Sequence, residues 1–171
     1  KIAQATSLPV MIYNIPGRTG INIKPDTMAR LAETDNIVAL KESSGDLEQA
    51  AELKRVLPKE FSIYSGDDSL TLPIMAVGGV GVVSVAAHLV GRRIKDMIEA
   101  FGQGKTGTAA DINAELLPLM RAIFVTSNPV PVKLALQMVG NPVGGVRLPL
   151  VEATEGEAAV VKKALANLHL I

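Results

Sequence analysis

The chain has 171 residues, no Cys, two His, three Phe, two Tyr and no Trp, and its 17 Lys and Arg balance 17 Asp and Glu. Without Cys there is no disulfide frame, thiolate nucleophile, Cys-ligated zinc or iron–sulfur cluster, and His88 and His169 lie too far apart in the sequence to suggest a His-rich metal site. Zero net charge and few aromatics argue against nucleic acid, whose affinity rests on phosphate neutralisation and stacking.

No run of about 18 apolar residues is present, so no membrane-spanning helix is expected. The mean hydropathy of +0.30 suggests strands covered on both faces. Residue 1 is Lys, and residues 1–7 carry no helix cap, so they read as the tail of an element that begins upstream.

Four short apolar runs follow in chain order: residues 9–13, 37–40 (with Lys41 directly after), 61–64 and 80–85. Each is rich in β-branched or aromatic residues and none alternates strictly, as expected of parallel strands. The first is followed by a helix over 25–33, with Pro25 in its first turn. A second helix is expected over 46–57, where Asp46 and Gln49 have capping-box spacing and Pro58 stops the helix. After the third run, Asp67 and Asp68 precede a helix over 70–77 that Gly78 and Gly79 close. Residues 86–90 and 92–103 read as helices around Gly91. Residues 108–124, 132–139 and 155–168 are helical with no strand between them, and prolines punctuate their joints.

Four βα units imply a parallel sheet. They suit either a doubly wound sheet or half of a (β/α)8 barrel, since a whole barrel needs about 250 residues. In both, chemistry gathers at the C-terminal ends of the strands.

Lys41 stands where the second strand emerges. A lysine in an apolar pocket loses solvation of its charged form, and a neutral amine adds to a ketone to give an imine; the plainer alternative is a lysine reaching solvent from a strand end. Tyr13 ends the neighbouring strand, where its phenol could relay protons or simply cap the core. Arg18 follows in the next turn, and its planar fork suits a carboxylate as readily as bulk water. Tyr64, inside the third run, reads as packing. Asp67 and Asp68 lack a third metal ligand and read as helix caps. The Gly78-Gly79-Val80-Gly81 stretch precedes the fourth strand, at the wrong end for a phosphate cradle. His88 and His169 read as core-edge residues, and Met28, Met75, Met97, Met120 and Met138 as core filler.

The stretch Tyr13-Asn14-Ile15-Pro16-Gly17-Arg18-Thr19-Gly20 resembles the YNxPxRTG motif of the dihydrodipicolinate synthase/N-acetylneuraminate lyase family. Leu40-Lys41-Glu42-Ser43-Ser44-Gly45 resembles that family's lysine segment. Ser65-Gly66-Asp67-Asp68, the glycine-rich stretch from Gly78 to Ser84, and Asn128-Pro129-Val130-Pro131-Val132-Lys133 are similar in order and spacing.

The resemblance implies a class I aldolase-type lyase: the C-terminal half of a (β/α)8 TIM barrel over residues 1–103, then a C-terminal helical region over 104–171. It implies that Lys41 forms the Schiff base, that Tyr13 relays protons, and that Arg18 binds the second substrate's carboxylate. Val83 corresponds to the position whose carbonyl lines the pyruvate site, and Gly66 to a glycine bordering that pocket. The implied reaction condenses pyruvate with L-aspartate 4-semialdehyde in lysine and diaminopimelate biosynthesis, without metal or organic cofactor, in a cytoplasmic homotetramer.

Arg18-Thr19 favours this branch over a sialic acid lyase or a 2-keto-3-deoxy sugar acid aldolase. Two alternatives stay open: such a sister aldolase or lyase, using the same Lys41 imine, and a non-catalytic half-barrel acting as a structural module. The family's first four βα units, with their Gly-Thr-Thr-Gly-Glu loop and a second tyrosine, are absent from these residues. The chain is therefore expected to be a C-terminal piece, inactive or poorly folded by itself.

Overall fold

The computed structural model describes residues 1–171. The chain packs as two compact units, Lys1–Ser84 and Val85–Ile171.

In the first unit a 3-10 turn at Ala3–Ala5 leads into β1 (Val10–Asn14), a one-turn helix α1 (Pro16–Thr19) and α2 (Pro25–Leu31). Then come β2 (Ile37–Glu42), α3 (Leu47–Val56), β3 (Ser62–Ser65), a 3-10 turn at Asp68–Leu70, α4 (Thr71–Ala76) and β4 (Gly81–Val82). The four strands form one parallel sheet in the order β1-β2-β3-β4, as alternating βα units require. The fold class is thus α/β with a parallel sheet.

The strands are not buried on both faces, contrary to the hydropathy reading. Val10, Ile12, Leu40 and Ile63 pack with Met28 of α2, Ala50 and Leu53 of α3 and Ile74 of α4. On the opposite face Met11 and Tyr13 are 42% and 43% exposed. One layer of helices packs on this sheet within the unit, so the opposite face is less covered, although Ala39 of the central β2 is 5% exposed.

The β1–β2 register slips by one residue: Val10 pairs with Ile37, but Met11 pairs with Ala39. The extra residue, Val38, behaves as a bulge and reverses the alternation of β2 beyond it. Leu40 and Glu42 therefore face the helices, while Ala39 and Lys41 share the open face with Met11 and Tyr13.

Local chemistry sets most element ends. Asp46 caps α3 by accepting from the Gln49 N–H at 3.0 Å. The expected reciprocal half of a capping box is missing, because the Gln49 side chain turns instead to Asn22 and Glu42. Asp67 stands at the N-cap of the 3-10 turn without a side-chain cap bond. Asp68 is buried and accepts from the Ser84 hydroxyl, while Ser65 Oγ donates to the Asp67 carbonyl at 2.7 Å and ties the turn.

Helix α4 ends where Gly78 takes φ +104°. Next to it, a Cβ on Gly79 would lie 2.5 Å from Ile74 Cγ2. The fourth strand is shorter than the apolar run suggests. Single bonds from Val80 N to Ile63 O and from Val83 N to Ser65 O flank it at 2.8 and 2.9 Å, and the chain then leaves the sheet.

The second unit is all helical: α5 (Ala87–Gly102), α6 (Thr106–Ala122), α7 (Val130–Met138) and α8 (Glu155–Asn167). The two helices expected around Gly91 are found within α5, which is broken at Val90 by the non-helical φ −129° and ψ 31°. Ile94, Met97, Leu116, Leu119, Ile123, Val161 and Leu165 are buried here. An Arg93–Glu115 ion pair joins α5 to α6. A capping box between Thr154 and Glu157 opens α8.

Met28, Met97 and Met120 are core residues, whereas Met75 and Met138 are only partly buried. Neither histidine is at a core edge: His88 and His169 are both exposed, and His169 lies past the end of α8 with φ 55°.

Candidate functional site

The C-terminal edge of the sheet gathers the residues with chemistry. Lys41 lies inside β2, one residue before its end, rather than beyond it. It pairs in register with Tyr13 on β1 and with Tyr64 on β3. Register partners in a sheet share a face, so a lysine stands between two tyrosines in one row. The Lys41 Nζ lies 4.0 Å from the centroid of the Tyr13 ring, within range of an ammonium–π attraction. Lys41 itself is part-buried.

Gly66 follows β3 and is buried. A Cβ at this position would fall 1.8 Å from Ser43 Oγ and 3.0 Å from Lys41 Cε. Only glycine leaves the Lys41 chain its present path. Ser43 Oγ is buried and has no hydrogen-bond partner.

Asp67, half-buried, faces Lys41 electrostatically. Burial raises its carboxyl above the ordinary 3.8, the Asp68 and Glu42 carboxylates raise it further, and the Lys41 cation opposes them.

Arg18 sits on α1, immediately after β1, with its side chain exposed. Val83 lies one residue past β4 at the same sheet edge and is 37% exposed. Tyr13, Lys41 and Gly66 are thus brought together, and Arg18 and Val83 stand on the same rim.

Sequence reasoning missed two features. Tyr64 reads as packing from the sequence, yet its register places it beside Lys41, and nothing within one strand shows that register. Glu42 is 2% exposed and Asn14 1%, and they bond to each other behind the rim. Nothing in a single sequence marks that pair.

The rim can hold an amine beside a phenol in a part-apolar setting, with a guanidinium nearby. That is a chemistry of imines and carboxylates. No group of three or more His, Cys, Asp or Glu is placed to hold a metal ion, and no helix is long and apolar enough to cross a membrane.

The fold has close counterparts among solved structures. DHDPS from Cyanidioschyzon merolae with lysine bound superposes with a TM-score of 0.97 at 48% identity, over 99% of this chain and 58% of that one. The chloride-inhibited dihydrodipicolinate synthase from Acinetobacter baumannii, complexed with pyruvate, gives 0.94 at 35% identity, over 99% and 58%. In sequence, the chain is 58% identical over 171 residues to the 4-hydroxy-tetrahydrodipicolinate synthase of Desulforamulus reducens, covering 99% of this chain and 58% of that protein. The model of the dihydrodipicolinate synthetase family matches residues 1–168, and the chain belongs to that family. It spans somewhat more than half the length of the curated relatives it matches.

Proposed function

We propose that this chain carries the Schiff-base half of a 4-hydroxy-tetrahydrodipicolinate synthase, a lyase that condenses pyruvate with L-aspartate 4-semialdehyde. Residues 1–103 are read as the last four βα units of a (β/α)8 barrel and 104–171 as its helical extension. One observation carries the reading: the Lys41 amine, 4.0 Å from the Tyr13 ring at the C-terminal edge of a parallel sheet. The names of the relatives support the choice of substrates.

In this reading the Lys41 amine adds to the ketone of pyruvate, and the carbinolamine loses water to give a protonated imine. The imine withdraws electrons, a methyl proton leaves, and an enamine forms. The enamine carbon attacks the aldehyde of the second substrate, whose carboxylate pairs with Arg18. The substrate's own amine then attacks the imine carbon, closes the ring and releases Lys41. The Tyr13 phenol carries protons through these steps. Gly66 keeps space for the Lys41 side chain, and the Val83 carbonyl lines the pyruvate site.

Residues 1–171 alone present two unpaired parallel edges and an uncovered sheet face, so they are expected to be inactive without the rest of the barrel. The complete protein is expected to be a cytoplasmic homotetramer.

Borohydride reduction in the presence of pyruvate tests the reading. The full-length protein should gain one pyruvate-derived adduct, on the peptide containing Lys41. A protein left unmodified there would overturn the assignment.

A further inference from the structure

The mechanism leaves two buried carboxyl groups unused, Asp68 and Glu42. Glu42 follows Lys41 on β2, so its side chain points to the opposite face. There it is 2% exposed with neutral hydrogen-bond partners. Asn14 Nδ2 donates to its two oxygens at 3.1 and 3.0 Å, the Ser44 N–H at 2.5 Å and Gln49 Nε2 at 3.4 Å. Asn14 is fully engaged as well: it donates to Asn22 Oδ1 at 2.8 Å and accepts from the Ile23 N–H at 2.9 Å. Asn22 and Gln49 close the ring by exchanging bonds of 2.8 and 3.1 Å.

A carboxylate held by amides alone is a poor source of stability, because its desolvation is repaid only in part. Its location is informative. Asn14 and Glu42 are register partners one step beyond Tyr13 and Lys41. The polar cluster therefore ties together the strand ends that carry the phenol and the amine.

We propose that Glu42, held by Asn14, is a positioning residue for the Lys41–Tyr13 pair. The bond between them locks β1 against β2 axially, so that the amine and the phenol keep their separation while pyruvate is bound and turned over. The inference rests on the Schiff-base reading above and extends it to the face of the sheet that substrate never touches.

The test uses the full-length protein and rates per site trapped by borohydride. Glu42→Gln places amide against amide; it should lower kcat by about tenfold to a hundredfold, as a misplacement of about 1 Å does, with KM for pyruvate within about threefold. The exchange variant Asn14→Asp with Glu42→Gln swaps acceptor and donor between the strands and should recover at least about tenfold of that loss. A kcat of Glu42→Gln within about twofold of the parent overturns the proposal, and so does an exchange variant with no recovery.

Should Glu42→Gln fail to fold, Asn22→Ala removes the outer amide of the cluster, which accepts from Asn14 and Gln49 and donates to Gln49. It should lower kcat about threefold to tenfold with an unchanged circular dichroism spectrum, and an unaltered kcat would overturn the proposal. Failure of the parent protein to trap pyruvate sinks the aldolase reading itself; normal trapping with an indifferent Glu42→Gln sinks this inference alone.

Discussion

Lys41 and Tyr13 are direct register partners across β1 and β2, and the amine of one lies 4.0 Å from the ring centroid of the other. The contact joins the two groups that the proposed reaction uses: an amine to add to a ketone and a phenol to move protons. A parallel sheet holds such a pair by its backbone ladder rather than by loop conformation, which is how a site keeps its geometry through several steps.

The first prediction separates the ring from its hydroxyl. Tyr13→Phe retains the aromatic face over Lys41 and removes the phenol. Turnover in the full-length protein should fall by about a hundredfold to ten-thousandfold, the range of a positioned proton-transfer group, while the circular dichroism spectrum stays unchanged. A variant that keeps its rate would assign Tyr13 to packing.

Arg18 is exposed on the rim, and in the proposed reaction its partner is the carboxylate of the aldehyde substrate. Arg18→Ala should lower kcat/KM for L-aspartate 4-semialdehyde by about tenfold to a hundredfold, the value of a charge-assisted bond. Trapping of pyruvate on Lys41 should be intact. Loss of activity toward a sugar aldehyde alone would instead favour a sugar-acid aldolase.

Gly66 is expected to be intolerant of even one methyl group. In Gly66→Ala the new Cβ would meet Ser43 Oγ at 1.8 Å and Lys41 Cε at 3.0 Å, so both side chains must move. Borohydride trapping should slow by about tenfold or more. Adding Ser43→Ala removes the worse clash and should restore part of the rate; equal trapping in parent and Gly66→Ala would contradict the geometry.

Asp67 supplies a pH dependence. Its folded carboxyl titrates above its ordinary 3.8, chiefly because burial disfavours the anion. An acid with a raised folded value favours the folded state at pH values below its unfolded pKa, and that advantage is lost as pH rises through the folded value. Asp67→Asn should therefore be more stable than the parent to urea at pH 7, with the difference shrinking as pH falls through the folded value and gone below the ordinary 3.8. Lys41 partly offsets the cost of the anion, so Lys41→Ala should enlarge the gain from Asp67→Asn. An equal urea midpoint for Asp67→Asn and parent at pH 7 would refute the assignment.

Much of the first unit was legible residue by residue. Pro25 opens α2, Asp46 caps α3, and Gly78 takes the left-handed conformation that ends α4, because each acts through its immediate neighbours. The short β4 was less legible, since the apolar run around it continues where the pairing does not. The aspartates at 67 and 68 were less legible for a similar reason: two carboxylates before an apolar run look like caps, but Asp67 makes no side-chain cap bond and Asp68 accepts from Ser84, sixteen residues away.

What the sequence alone determined is the set of local decisions and the motif string: strand, turn and helix in repeated order, with Lys41 and Tyr13 at strand ends. What only the tertiary structure decided is which side of the sheet each residue occupies. Strict alternation from Ile37 would send Lys41 into the helix-covered core with Ile37 and Ala39. The slip at Val38 reverses that parity, placing Lys41 beside Tyr13 and Glu42 against Asn14. Register is a property of two strands and the packing between them, so no inspection of one strand could have shown it.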